Sequence, residues 1–311
     1  MSEAAPVPGS GALAAVPGWP VPHAAAAAVR ATGEIVETVG PQRYSFRLAS
    51  ISKVLTGYAV MIAVEEEAVG LADVVDGPAL IAALPNTGPG PLTPVPAGTT
   101  LRHLLAHTSG LGFTGHDRAL VGPGERRIYS NHGIELAAEH LAQATGMPFE
   151  EYLGEAVLGP LGMTDTALDG SPAHGVYGTV HDLTLFVREL YRPTLLTTAS
   201  LAAMVEAAFP GVDGVIPGVG SFRPCDWGLT FERNFGRTGH WAGTSPSRRS
   251  FGHFGGAGTM LWLDPDAGVA TVALADRPFD TWAMQVWPPL ATSVIEAYGR
   301  PPRPPQHAAS A

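Results

Sequence analysis

The run from Ser50 to Glu67 constrains this chain more than any other stretch. It reads as a helix that is apolar almost all the way round and ends near Gly70. A helix without a polar face belongs inside a protein, so other elements must pack on most of its sides. Two short strands are expected before it, at 25–31 and 33–39, joined at Thr32–Gly33. After it the pattern is mainly helical, at 101–106, 133–145, 149–158, 179–190 and 198–207. Strands follow at 227–234, 252–263 and 269–276, the last two joined by an Asp264–Gly268 turn. A closing helix at 281–298 contains Pro288 and Pro289, which threaten its continuity. Strands on both sides of a helical middle imply one sheet built from both termini. The expected class is α/β (α+β), an antiparallel sheet flanked by helices with an inserted, mainly helical part. Residues 1–20 are rich in Ala, Gly and Pro and are expected as a flexible arm. The tail 300–311 holds four prolines and is expected to be disordered. Between them lies one domain, 21–299. Segments 21–70 and 208–299 supply its α/β part and 71–207 its helical part.

The buried helix also carries the only lysine. Eighteen residues are Lys or Arg, and Lys53 alone among them is lysine. Arginine keeps its proton in a protein, whereas a lysine can titrate. Lys53 stands three residues after Ser50, and on a helix these two positions share a face. A serine becomes a nucleophile when a neighbouring base takes its proton, and a desolvated lysine is suited to that task. If Ser50 begins the helix, its backbone N–H is free to polarise a carbonyl. Serine is common, so Ser-x-x-Lys alone is a weak signal.

Two further motifs strengthen it. Tyr129-Ser130-Asn131 lies between a Gly-Pro-Gly turn and a helix. A tyrosine can pass a proton and an asparagine amide can orient a carbonyl. Ser130 or Asn131 can equally cap the helix that starts near Gly133, and both roles can coexist. Downstream comes Gly252-His253-Phe254-Gly255-Gly256-Ala257-Gly258-Thr259. Glycines in a strand mark a bulge, or a place where another backbone approaches closely. A substrate pairing with this edge is one such case, with an N–H near Gly256 as a second oxyanion donor.

Together these motifs resemble the serine β-lactamase and penicillin-binding-protein superfamily, in particular its class C β-lactamase-related branch with family VIII esterases. The resemblance extends over 21–298. It includes Leu101-Arg102-His103-Leu104-Leu105-Ala106-His107-Thr108-Ser109-Gly110-Leu111 and Gly159-Pro160-Leu161-Gly162-Met163-Thr164-Asp165-Thr166. Leu261-Trp262-Leu263-Asp264-Pro265 matches as well. It implies that Ser50 forms an acyl-enzyme, that Lys53 and Tyr129 share the acid and base roles, and that Asn131 contacts the substrate. It further implies that the strand of His253, Gly255 and Gly256 aligns the substrate. Which of Lys53 and Tyr129 takes the first proton stays open.

True β-lactamases of the superfamily usually carry Lys-Thr-Gly where this chain has His253-Phe254-Gly255. An unperturbed histidine is mostly neutral at pH 7, so a substrate carboxylate loses its cation. The expected activity is therefore a carboxylesterase acting on small acyl esters, with weak or no β-lactamase activity. A D-amino-acid-specific peptidase or D,D-carboxypeptidase is the alternative, and an acyltransferase or a non-catalytic binding protein of the same fold is a further one. Trp227, Phe231 and Trp241 are candidates for an apolar acyl pocket, although core packing is the commoner fate of such residues.

The partner expected is a small ester or amide. A formal charge of -10 argues against nucleic acid. No apolar run is long enough to span a bilayer and no export signal is visible, so no membrane association and a cytoplasmic location are expected. No cofactor is expected. His103 and His107 have His-x-x-x-His spacing, but the zinc-peptidase pattern needs a glutamate where Leu104 stands, so no metal is expected. These histidines are instead expected to support the Thr108-Ser109-Gly110 loop. Cys225 is the only cysteine, so no disulfide can form within the chain.

Overall fold

Alanine favours helix in isolation, yet five alanines open the first strand. The computed structural model describes residues 11–300, except 86–89, 217–218, 235 and 237. In it β1 (Ala24–Arg30) and β2 (Ile35–Val39) lie beside β3 (Glu232–Arg233), β4 (Phe251–Gly255), β5 (Thr259–Asp264) and β6 (Val269–Ala275). The order across this antiparallel sheet is β2-β1-β6-β5-β4-β3. The two ends of the chain thus meet where β1 pairs with β6. Strand periodicity sends Ala25, Ala27 and Val29 into one core, and Ala26 and Ala28 into another on the opposite face. The small side chains suit a sheet covered on both faces. Tertiary packing overrides the helical preference of alanine here.

One face carries α1 (Ser52–Glu65), whose residues 52–63 are all buried. Gly57 is required by that packing, because a Cβ there would lie 2.3 Å from Thr230 Oγ1. Around α1 stand α2 (Leu101–Leu105), α3 (Asn131–Thr145) and the helices Val180–Tyr191 and Thr198–Val205. The other face is covered by α4 (Thr281–Tyr298), through Trp282, Trp287, Leu290 and Val294.

Several expectations are corrected in detail. The closing helix runs unbroken through Pro288 and Pro289. The carbonyls that lose their donors belong to Met284 and Gln285, both exposed, so water can serve them. The stretch 252–263 is a hairpin of two strands, turning at 256–258 with Gly258 at φ +96°. Of the strand expected at 227–234 only β3 forms, and Trp227 makes isolated bridges to Ala208 and Glu232. Thr230 at φ +67° turns the chain in between. Part of the expected loose arm is packed, since Leu13, Val16 and Trp19 are buried in the second core. Residues 1–10 of that arm and 301–311 of the expected disordered tail lie outside the described residues. Among the described residues no helix is long and apolar enough to cross a membrane.

Candidate active site

Ser50 lies in a tight turn, Ala49–Ile51, that leads directly into α1. In such a first turn the helix supplies no acceptor for the backbone N–H. Ala49, just before it, has φ +48°, a strained conformation for a residue with a Cβ. One turn on, Lys53 is fully buried. Its Nζ is 3.2 Å from Ser50 Oγ, 2.6 Å from Asn131 Oδ1 and 2.8 Å from the carbonyl of Ala173. It also sits 4.8 Å from the centre of the Tyr129 ring. Burial lowers the Lys53 pKa to about 7, against an upward pull from the Glu135 carboxylate. A neutral amine at this distance can accept the serine proton.

Tyr129 follows a two-residue strand, Arg127–Ile128, which pairs with 214–215. The guanidinium of Arg127 is buried and donates to the carbonyls of Ala106, Ala208 and Cys225. It thereby ties three loops behind the tyrosine. Ser130 caps α3, accepting from the N–H of Gly133 at 3.0 Å. With the cap supplied by Ser130, the Asn131 amide is free to face Lys53. His107 Nδ1 accepts from the N–H of Ser130 at 3.2 Å, and its ring packs on Tyr129. Burial pushes the Tyr129 phenol well above its ordinary pKa, opposed by a hydrogen bond with Ser50.

The third wall is β4. It pairs with β5 along its length but with β3 only at Phe251 and Gly252, so among the described residues no strand covers the other edge of 253–255. Gly255 is required, because a Cβ there would lie 2.2 Å from the carbonyl of Leu48. Thr259 Oγ1 donates to the same carbonyl at 2.8 Å. These contacts seat the 255–256 backbone beside the Ser50 turn, while a Cβ on Gly256 would meet open space. His253 points beneath Tyr129 and is 1% exposed. Its Nδ1 is 2.6 Å from the Phe254 carbonyl, so Nδ1 carries the proton and Nε2 the lone pair. That Nε2 lies 3.4 Å from Tyr129 Oη, which donates to it. Burial, reinforced by the Lys53 charge, lowers the His253 pKa to about 3.

Ser50, Lys53, Tyr129, Asn131 and the 253–256 strand edge are therefore gathered around one point. Trp227, Phe231 and Trp241 do not line an open acyl pocket. Trp227 packs under the Tyr129, His107 and His253 rings, and the other two belong to the cores. His103 and His107 do not share a helical face either, because α2 ends at Leu105 and His107 has φ +58°. His103 completes the cap of its own helix with Thr100, and His107 props the Tyr129 turn rather than the loop at Thr108. Sequence reasoning missed Ser171-Pro172-Ala173. This segment docks on α1 through Thr56 and Lys53 and presents only backbone carbonyls to them. No side-chain signal marks such a role.

The beta-lactamase family profile matches residues 21–294. A crystal structure described as a beta-lactamase from Mycobacterium bovis superposes with a TM-score of 0.82 at 42% identity. The match covers 93% of this chain and 100% of that one. Penicillin-binding protein 4* of Bacillus subtilis is 29% identical over 44% of this chain and 35% of its own length. The D-alanyl-D-alanine-carboxypeptidase/endopeptidase AmpH of Escherichia coli is 30% identical over 40% of this chain and 37% of its own length. The chain thus spans little more than a third of these curated relatives.

Proposed function

The chain belongs to the beta-lactamase family of serine hydrolases, and from that premise we propose that it hydrolyses small acyl esters through an acyl-enzyme on Ser50. The observation that carries this reading is the 3.2 Å between Lys53 Nζ and Ser50 Oγ, with burial bringing the amine to a pKa of about 7. A base with that pKa is available near neutral pH and still returns its proton readily. Lys53 takes the Ser50 proton as Oγ attacks the ester carbonyl. The oxyanion is met by the N–H groups of Ser50 and Gly256. Tyr129 gives a proton to the leaving oxygen and is replenished from Lys53, as suits a phenol whose pKa burial raises. Water then enters, gives up a proton by the reverse route, and releases the acid.

The choice of ester rests on β4. His253 is neutral at any working pH, so this strand offers no fixed cation to a substrate carboxylate. Phe254 offers no hydroxyl. Neutral esters lose nothing by either change, whereas anionic β-lactams do. A D,D-carboxypeptidase is the second reading, favoured by the stretch shared with AmpH.

Hydrolysis of p-nitrophenyl butyrate by wild type and Ser50→Ala tests the proposal. The variant is expected to lose about six powers of ten in kcat. Equal activity in both would remove Ser50 from the mechanism. Release of D-alanine from a D-alanyl-D-alanine peptide without ester turnover would select the second reading.

A further inference from the structure

A cavity of about 710 Å³ opens on the Asn131 side of the site. Leu92, Phe149 and Pro172 give it apolar walls, and His132, Glu135 and His174 give it a polar end. The helix α3 explains this grouping. Asn131 and Glu135 are four residues apart, so they stand one above the other on the same face. Asn131 reaches Lys53, and Glu135 lies one helical turn along, about 5.4 Å.

Glu135 is only partly engaged. Its Oε1 accepts from Ser171 Oγ at 2.6 Å. His132 Nδ1 stands 3.8 Å from Oε2, and His174 Nε2 stands 4.0 Å from Oε1, both beyond hydrogen-bond length. His132 is 1% exposed, and neither of its ring nitrogens has a hydrogen-bond partner. A buried polar group left in this way carries a free-energy cost, which a ligand with matching groups removes. Burial works against the Glu135 carboxylate, yet the hydrogen bond from Ser171 helps to hold its pKa below the ordinary value, so it is ionised.

We propose that this cavity is the acyl-chain subsite, and that Glu135 and His132 at its polar end bind a protonated amine carried by that chain. The inference rests on the Ser50 reading above and narrows its substrate class to amino-acyl esters or amides. The amine sits several methylenes from the reacting carbonyl, because one helical turn separates Glu135 from Asn131. The chain between them lies against Leu92, Phe149 and Pro172. An acyl carboxylate is rejected by the same Glu135 charge.

The test compares kcat/KM for p-nitrophenyl 6-aminohexanoate with that for p-nitrophenyl hexanoate, in wild type and in Glu135→Gln. The amide keeps an oxygen for Ser171, and the ratio cancels any effect on the shared Ser50 and Lys53. Wild type is expected to prefer the amino ester by about tenfold, a typical magnitude for one charge-assisted contact, and the variant to show a ratio near one. No preference in wild type, or the same preference in the variant, overturns the proposal. If neither ester is turned over, the Ser50 reading has failed, and calorimetry with 6-aminohexanamide then decides the subsite. Tighter binding to wild type than to Glu135→Gln supports it. Equal or absent binding overturns it.

Discussion

Ser50 has two flanks, and the same burial acts on them in opposite directions. On one flank Lys53 is surrounded by the Asn131 amide, the Ala173 carbonyl and, farther off, the Glu135 carboxylate. On the other Tyr129 rests on a stack of His107, Trp227 and His253 rings. Desolvation disfavours the charged form of any group. It therefore brings the lysine down to about 7 and drives the tyrosine up. One physical cause shifts two neighbouring groups in opposite directions, as the proposed pairing of a base with a proton donor requires. The two histidines of the aromatic flank complete the contrast. Burial holds both His107 and His253 well below their usual pKa, so neither adds a positive charge that would draw a proton off the phenol.

The largest break in this comparison comes from Lys53→Arg. Arginine keeps the charge but does not give up a proton, so the flank loses its base. A loss of about 10⁴ in kcat/KM is expected for the ester, the upper range for general-base catalysis. A loss below tenfold would make Tyr129 the first base. In wild type, kcat/KM should rise with pH through about 7 as Lys53 becomes neutral, and this limb should vanish in the variant.

Tyr129→Phe removes the donor and leaves the aromatic stack in place. A loss of about 10² in kcat is expected for an alkyl ester, whose leaving oxygen needs a proton. For a p-nitrophenyl ester, which leaves as a stable anion, the loss should be smaller. Equal losses on both esters would move the tyrosine out of the donor role.

The smallest effect is on stability. An unfolded Lys53 keeps its proton up to about 10.5, whereas the folded one loses it above about 7. Between these values the unfolded chain binds the extra proton, so raising the pH favours folding. Wild type should gain on Lys53→Met by about 1.4 kcal/mol per pH unit across this window, read by denaturant unfolding at pH 7, 8 and 9. A flat difference would mean that the lysine is not desolvated.

Much of the fold was legible because periodicity and glycine placement are local. The apolar run of α1, the apolar β6 and the three-residue spacing of Ser50 and Lys53 could be read directly. The misreadings came from long-range packing. The proline pair in α4 survives because the carbonyls it deprives face water. The expected strand at 227–234 fails because Thr230 turns against Gly57 of a distant helix. His107 looked like a loop support, and its partner Ser130 lies 23 residues away.

By itself the sequence determined which atoms are available for chemistry. A lone lysine one helical turn from a serine, a tyrosine before a helix cap and a glycine-rich strand are facts of spacing. The tertiary structure alone decided what those atoms can do. Lys53 meets Asn131 and Ala173 across 78 and 120 residues, and those distant partners also exclude the water that would keep its proton in place. Reactivity depends on desolvation, and desolvation is a property of the packed chain.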